Sequence, residues 1–468
     1  NMKIQFLGAS GGEVTGSKFL LTTEKNEKIV IDCGMYQGKG LETDEMNRDL
    51  GFDPKEIKYL ILSHAHVDHS GLIPYIYKLG FTGKIFCTPA TRDLCSIMLP
   101  DSGNIQENDT RQFNKKRKLQ NLPPVEPIYT AKDAAACMRQ FISIPYNMKF
   151  DITPNLQVEF FDSGHILGGA SVYLTVKEGR KKKTILYTGD VGRYGKRILP
   201  DPAEIPQAQY IICESTYGNR LHPTIDEAEE KLMLIVKDAC AQRRGKLIIP
   251  SFAVGRTQEI VYALHLLKKQ GKLPDIDIFV DSPLAVSATD VFRLHRDSFN
   301  EEMQDFMENN KDPCGFEKLH YVRTIDDSKR LNTSNTPCII ISASGMMEAG
   351  RVKHHLANNI ENPRTTILCV GYCSPTTLGA KIMRGDKEVS IFGTKHKVRA
   401  QLESIESYSG HADYNELIRY LQPQKPKKVK HIFVVHGNED SREGFMETLQ
   451  QTGYASVSAP EFQSEVEI

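Results

Sequence analysis

The chain lacks most of the features that would place it at a glance. It has no net charge, with 59 Lys and Arg against 59 Asp and Glu, so a polyanion would have to be held by a local patch rather than by the overall field. No apolar run approaches the length of a membrane span, which sets transmembrane helices aside, and no secretory leader is recognisable. The ten Cys form no CxxC pair; scattered in this way they point to reduced thiols, and a cytoplasmic location is expected. There is no internal repeat and no low-complexity segment. The remaining composition, 40% hydrophobic and 25% charged, is that of a globular protein. A length of 468 residues is too great for one core.

What is present is a concentration of metal-ligating side chains. His64-Ala65-His66-Val67-Asp68-His69 packs three imidazoles and one carboxylate into six residues, in a chain with only 14 His. Tyr59 to Leu62 is a short apolar run that reads as a buried strand, and Leu72, Ile73, Ile76, Tyr77 and Leu79 recur at helical spacing after it. The polar residues therefore occupy a strand-to-helix turn. Alternation sends His64 and His66 to one side as the strand ends, while Asp68 and His69 point back from the first helical turn, so two metals could be gripped at once.

Up to about residue 200 the chain reads as short strands separated by turns and few long helices, among them Lys3 to Leu7, Lys28 to Ile31, Lys84 to Cys87, Val158 to Phe161, Val172 to Val176 and Thr184 to Tyr187. Between 206 and 394 strands and helices alternate: Tyr210 to Cys213, a helix near 225 to 242, Leu247 to Ile249, a helix near 257 to 269, then Ile276 to Val280, Cys338 to Ile341 and Thr366 to Val370. That alternation predicts a parallel α/β domain. Three segments are expected: 1–205, an inserted domain at 206–394, and 395–468, where Val429 to Val435 reads as a strand and helices follow Asp413 and Asn438.

Three further residues complete a two-metal set. His165, Asp190 and His436 each follow an apolar run and sit beside a glycine, in Phe160-Phe161-Asp162-Ser163-Gly164-His165, Leu186-Tyr187-Thr188-Gly189-Asp190 and Val434-Val435-His436-Gly437. Any one of them alone reads equally well as structural. Together with the His64 cluster they divide into His64, His66 and His165 for one ion and Asp68, His69 and His436 for the other, with Asp190 bridging. Neutral imidazoles and carboxylates suit Zn²⁺, two per chain.

The HxHxDH turn, Asp32 in Ile31-Asp32-Cys33-Gly34, His165 and Asp190 together resemble the metallo-β-lactamase fold. The resemblance implies an αββα sandwich with a dinuclear site on loops at one edge of its two sheets, and Asp32 as structural support. Glu214 in Cys213-Glu214-Ser215-Thr216, His411 in Ser409-Gly410-His411-Ala412-Asp413 and His436 resemble motifs A, B and C of the β-CASP nucleases, a branch with an α/β cap inserted into that fold. Pro250 to Glu259, Ile341 to Met346 and Thr377-Leu378-Gly379 match the same branch, so the resemblance covers nearly the whole chain. It is similar to the group that includes the pre-messenger-RNA 3′-end endonuclease and its prokaryotic relatives. A His at motif C, here His436, is the residue of the RNA-processing members.

The implied chemistry is hydrolysis of single-stranded RNA. A hydroxide shared by two zinc ions attacks the phosphodiester, Asp68 and Asp190 belong to the catalytic set, and His411 is the candidate general acid, with Glu214 holding it oriented and charged. A neighbouring carboxylate favours the protonated imidazole, the form an acid needs. The products would be a 5′-phosphate and a 3′-hydroxyl, with internal cutting expected and 5′-exonucleolytic action the alternative. Ser342, Ser344 and the backbone N–H groups of Gly345 and Met346 precede an expected helix and either bind a substrate phosphate or simply cap it. Phe252 would stack a base or pack in the core, and Arg256 would pair a phosphate. A small-molecule thioesterase or lactamase is the rival reading. It leaves the inserted domain and the Glu214–His411 pair without a purpose. No membrane partner is expected, and protein partners or self-association are left open.

Overall fold

The computed structural model describes residues 1–37, 41–309 and 311–468, with the side chains of residues 41 and 42 left aside. The chain divides into two compact units. The first comprises 1–194, 201–221 and 411–468; the second comprises 195–200 and 222–410.

The first unit is built on two seven-stranded sheets. One runs edge to edge as Glu465–Glu467, Lys3–Phe6, Phe19–Thr22, Lys28–Ile31, Ile57–Ile61, Lys84–Cys87 and Phe141–Ser143. The other runs Val457–Ser458, His431–Val435, Tyr210–Glu214, Lys181–Tyr187, Ala170–Glu178, Leu156–Asp162 and Phe150–Thr153. Each sheet is antiparallel in the part built from hairpins and parallel from Lys28–Ile31 and from Lys181–Tyr187 onward. Alternation explains the layering. Ile29, Ile31, Ile61 and Phe86 of one sheet join Phe160, Val172, Leu174, Ile185, Ile212 and Phe433 of the other in a single core. The intervening Val30, Leu60 and Ile85 are buried on the opposite face, where right-handed crossovers between parallel strands put their helices. On the second sheet Leu186, Ile211, Ile432 and Val434 meet Leu417, Tyr420, Phe445 and Leu449 of the helices Tyr414–Leu421 and Glu439–Gln451. This is the αββα sandwich of the metallo-β-lactamase fold.

The second unit holds a six-stranded, wholly parallel sheet in the order Leu319–Val322, Asp277–Asp281, Cys338–Ser342, Lys246–Pro250, Thr366–Cys369 and Gln401–Ser404. Its central strands are continuous apolar runs buried on both faces, as a helix-covered parallel sheet requires.

Three expectations need correction. Tyr210–Glu214 opens no second domain: it pairs between Lys181–Tyr187 and His431–Val435 in the first unit. Gln401–Ser404, beyond the expected boundary at 394, lies in the parallel sheet of the second unit. A buried strand followed by a helix looks alike in either sheet, because periodicity reports burial and not the neighbour. The early chain also contains a helix of 31 residues, Pro89–Leu119. Thr88 caps it by accepting from Thr91 N, and Pro89 occupies its first turn. Its interior Pro100 and Gly103 mask the periodic pattern. Among the described residues no helix is long and apolar enough to cross a membrane.

Candidate metal centre and active site

The site assembles at the carboxyl ends of the strands of the first unit, the edge at which open α/β sheets place their ligands. Asp32 follows Lys28–Ile31, His64 follows Ile57–Ile61, His165 follows Leu156–Asp162, Asp190 follows Lys181–Tyr187, Glu214 ends its strand, and His436 follows His431–Val435. His66 caps the short helix Val67–Ser70, which carries Asp68 and His69.

The donor atoms of the seven expected ligands converge in two groups, and a third group, Asp190, Glu214, His411 and His436, overlaps the second. His64, His66 and His165 form the first and Asp68, His69, Asp190 and His436 the second, with the donor atoms of each group within 4.8 Å of one another. His165 Nε2 lies 3.2 Å from His66 Nδ1, and His69 Nε2 lies 3.2 Å from His436 Nε2. The Asp190 carboxylate stands between the groups: Oδ2 is 3.4 Å from His64 Nε2, 3.5 Å from His165 Nε2 and 3.1 Å from His69 Nε2, and Oδ1 is 3.5 Å from His436 Nε2.

Burial and charge act in opposite directions on these groups. Burial raises the Asp68 and Asp190 carboxyls, but neighbouring imidazoles, His69 for Asp68 and His436 with His69 for Asp190, outweigh it and hold both well below the usual carboxylate range. Burial lowers His64, with His69 adding to the effect, and holds His165 well below the ordinary imidazole range. It works the same way on His69 and His436, yet Asp190 and Asp68 reverse it, raising His69 well above its usual value and His436 to about 9. The result is two anions, Asp68 and Asp190, with His64 and His165 held neutral, the ligand form, and His69 and His436 holding protons that a metal ion would displace. Two donor atoms, His64 Nε2 and Asp190 Oδ1, are buried with no hydrogen-bond partner among the described residues. Leaving such atoms unpaired is costly unless a cation satisfies them. The residues fit divalent metal.

The other ring nitrogens are held from behind. Ser63 Oγ lies 3.0 Å from His64 Nδ1, Thr216 Oγ1 lies 2.8 Å from His436 Nδ1, and Asp32 Oδ2 lies 2.7 Å from His69 Nδ1. Asp32, wholly buried, also accepts from Ser63 N at 2.8 Å, Ser63 Oγ at 2.8 Å and the Tyr187 hydroxyl at 2.9 Å. Such partners fix the ring and its tautomer. Ser63, Thr216 and Tyr187 were not singled out from sequence, although each stands beside or within a motif already noted.

Beside the two groups, His411 Nδ1 lies 2.7 Å from Glu214 Oε2. Glu214 is fully buried, and its carboxylate also accepts from Val191 N at 3.2 Å and from Thr216 Oγ1 at 3.2 Å. The opposite atom, His411 Nε2, faces Asp190 Oδ2 at 4.0 Å. The His411 ring lies 4.9 Å from that of His165 and 5.5 Å from that of His436, so it neighbours a member of each group.

The remaining candidates belong to the second unit. Phe252 and Gly345 touch closely enough that a Cβ on Gly345 would stand 3.0 Å from the Phe252 ring. Arg256 opens the helix Arg256–Lys269 and donates from Nη1 to Val370 O at 2.7 Å. Ser342 and Ser344 require correction. Ser342 is buried and its hydroxyl donates to Asp281 O at 2.8 Å, while Ser344 Oγ pairs with the backbone of Ala349 and closes a turn. The helix expected after this motif begins at Val352. Anion binding here would therefore come from the loop backbone and not from the serine hydroxyls or a helix terminus.

Comparison with known proteins places these features in sequence order. Residues 11–92 match the metallo-beta-lactamase superfamily, 257–382 the Beta-Casp domain, and 395–460 the Zn-dependent metallo-hydrolase RNA specificity domain. The chain is 34% identical over 440 residues to ribonuclease TTHA0252 of Thermus thermophilus, covering 94% of each. It is 33% identical over 428 residues to an RNase J-like protein of Methanocaldococcus jannaschii, covering 91% of this chain and 90% of that one. Against the transcription termination factor FttA of Methanosarcina mazei it is 30% identical over 448 residues, covering 92% of this chain and 66% of the factor.

Proposed function

We propose, from the premise that the chain belongs to the β-CASP ribonucleases of the metallo-β-lactamase superfamily and is a metal-dependent RNA hydrolase, that it cuts single-stranded RNA internally and leaves 5′-phosphate and 3′-hydroxyl ends. The observation that carries this reading is the Asp190 carboxylate set between two convergent donor groups, with a carboxylate-held imidazole 4.0 Å away.

His64, His66 and His165 would hold one metal ion and Asp68, His69 and His436 a second, with Asp190 shared; Zn²⁺ suits this nitrogen and oxygen donor set. When bound, such ions supply Lewis acidity toward a phosphodiester and activate water at neutral pH. The protein's own groups supply the rest. Glu214 Oε2 accepts the Nδ1 proton of His411, which orients the ring and leaves Nε2 as the atom that gives a proton to the departing 3′ oxygen. The bonds from Val191 N and Thr216 Oγ1 keep the Glu214 carboxylate from swinging away. In the second unit the backbone around Gly345, with Phe252 packed against it, and the guanidinium of Arg256 are assigned to the substrate's phosphate and base. A single strand is the expected substrate because its unstacked bases are open to stacking on an aromatic ring such as Phe252.

The test is an internally labelled single-stranded RNA with a blocked 5′ end, incubated with zinc-loaded protein and with Asp190→Ala. Internal fragments carrying 5′-phosphates, absent with the variant, are expected. Cutting that requires an open 5′ end and releases only mononucleotides would overturn the internal mode in favour of exonucleolysis. Fragments ending in 2′,3′-cyclic phosphate would overturn the chemistry.

A further inference from the structure

The loop leaving strand Thr366–Cys369 carries a pair of thiols that the hydrolytic chemistry does not use. Nine of the ten cysteines are buried and Cys373 alone is partly exposed. Its sulfur lies 4.0 Å from that of Cys369, and no other two cysteine sulfurs are in hydrogen-bond contact among the described residues. Cys369 ends the strand, paired with Ser404, and its Sγ lies 3.3 Å from Gly371 O, while the segment between the two cysteines, Val370 to Tyr372, is in neither helix nor strand. The pair also adjoins the segment assigned above to substrate. Cys373 Sγ lies 3.7 Å from Gly345 O, so its one S–H faces either that carbonyl or Cys369 Sγ, Arg256 is bonded to Val370 O, and a Cβ on Gly379 would meet Cys373 Sγ at 2.8 Å.

We infer that Cys369 and Cys373 are a reversible dithiol–disulfide site whose oxidation by a low-molecular-weight disulfide displaces the Gly345 segment. The sulfurs must approach by about 2 Å to reach bonding distance. Closing the bond consumes the S–H that Cys373 can offer to Gly345 O. The acidity of the pair supports exchange. The Cys373 thiol beside it, and to a smaller degree Gly371 and Arg256, bring Cys369 down to about 7 despite burial, while Cys373 is raised and keeps its proton. Cys373, the accessible sulfur, gives its proton to the neighbouring Cys369 thiolate as it attacks one sulfur of the small disulfide, breaking its S–S bond; the released thiolate takes up a proton from water. Cys369 then gives that proton to the second leaving thiolate as its sulfur displaces it and closes the Cys369–Cys373 bond. Two protein thiols and one disulfide become one protein disulfide and two small thiols, the protein losing the two electrons that the small disulfide gains. The remaining eight cysteines are interior, and those whose acidity is shifted, such as Cys33, Cys87 and Cys213, are pushed up by burial, so none competes as a thiolate.

The consequence for RNA rests on the reading that Gly345 and its neighbours contact substrate, so the test separates the two. The full-length, zinc-loaded protein is equilibrated with reduced or oxidised glutathione, alkylated, and divided between peptide mapping and the blocked-RNA assay. The oxidised sample should yield the Cys369–Cys373 peptide unalkylated and lighter by two hydrogen atoms, reversibly with dithiothreitol, with cutting reduced by roughly 10²-fold, the cost of misplacing a substrate contact by about 1 Å. Cys373→Ser and Cys369→Ser should each fail to form the species, and Cys373→Ser should keep its cutting in the oxidised buffer. Both cysteines alkylated after oxidation would overturn the disulfide. A disulfide with undiminished cutting would overturn its link to substrate. Reduced protein that never cuts RNA would overturn the functional reading, while the peptide map would still decide the disulfide.

Discussion

Asp32→Asn separates the folding role of this carboxylate from its control of the metal. The carboxylate serves four donors, Ser63 N, Ser63 Oγ, the Tyr187 hydroxyl and His69 Nδ1. Asp32 also has a left-handed backbone, with φ at 56°, a region that Asn tolerates nearly as well as Asp. Alanine would add strain there and strand several buried donors at about 1–3 kcal/mol each, which confounds folding with function. Asparagine keeps the oxygen that meets Ser63 N and puts an NH₂ where Oδ2 stood. It has two hydrogens for the three groups that met Oδ2, Ser63 Oγ, the Tyr187 hydroxyl and His69 Nδ1, and the two hydroxyls can turn to accept them. His69 can do so only by presenting a bare Nδ1, which moves its proton to Nε2, the nitrogen 3.1 Å from Asp190 Oδ2 that would ligate metal. Losing a partner that sets a ligand's tautomer costs about 10- to 100-fold in metal affinity, or about 1.4 to 2.7 kcal/mol. Titration against a competing chelator should therefore show one site weakened by that factor and the His64–His66–His165 site unchanged, with stability lowered by about 1–3 kcal/mol for the one buried partner the amide cannot serve. Two sites of parental affinity in a folded variant would refute the argument that Asp32 sets the His69 tautomer.

His411→Ala should retain its metal and lose roughly 10²- to 10⁴-fold in rate, the usual contribution of a general acid; loss of a full equivalent of metal would make His411 a ligand. Gly34→Ala should lower both stability and metal content, because the added Cβ would stand 1.6 Å from Asp68 O and 2.6 Å from His69 N; normal zinc stoichiometry by elemental analysis would count against it. In the second unit burial raises the Asp281 carboxyl, but bonds from His355, Ser328 and Arg351 outweigh it and hold it below the usual range. A depressed carboxylate contributes stability that is complete above its unfolded value of about 4 and is lost as pH falls through the folded one. Thermal melts should therefore fall more steeply below about pH 4 for the parent than for Asp281→Asn, and equal slopes would refute the assignment.

What could be read in advance was what is local in the chain. Four ligands lie within one turn, His64 to His69, and the others each follow an apolar run, so the end of a strand marks where a side chain leaves the sheet for its edge. The same logic located the strand before Glu214 yet could not assign it to a sheet, since Tyr210–Glu214 is completed by His431–Val435, far along the chain. Orientation was less legible still. His411 meets Glu214 across 197 residues, and His69 meets His436 across 367. No spacing rule reaches that far, and resemblance to a family had to pair His411 with Glu214.

The serines show the limit from the other side. Ser342 and Ser344 stand in a motif that suggests a ligand, but a hydroxyl has one proton to give, and here Ser342 gives it to Asp281 O and Ser344 to Ala349 O. A motif identifies a place on the chain; which of its atoms remain for a substrate depends on the hydrogen bonds that the fold has already taken. The balance runs the opposite way at the metal centre, where Ser63, Thr216 and Asp32 occupy the Nδ1 atoms of three histidines and leave each Nε2 turned inward. At both sites the fold acts by subtraction, and a candidate residue can bind only through the atoms it still has to offer.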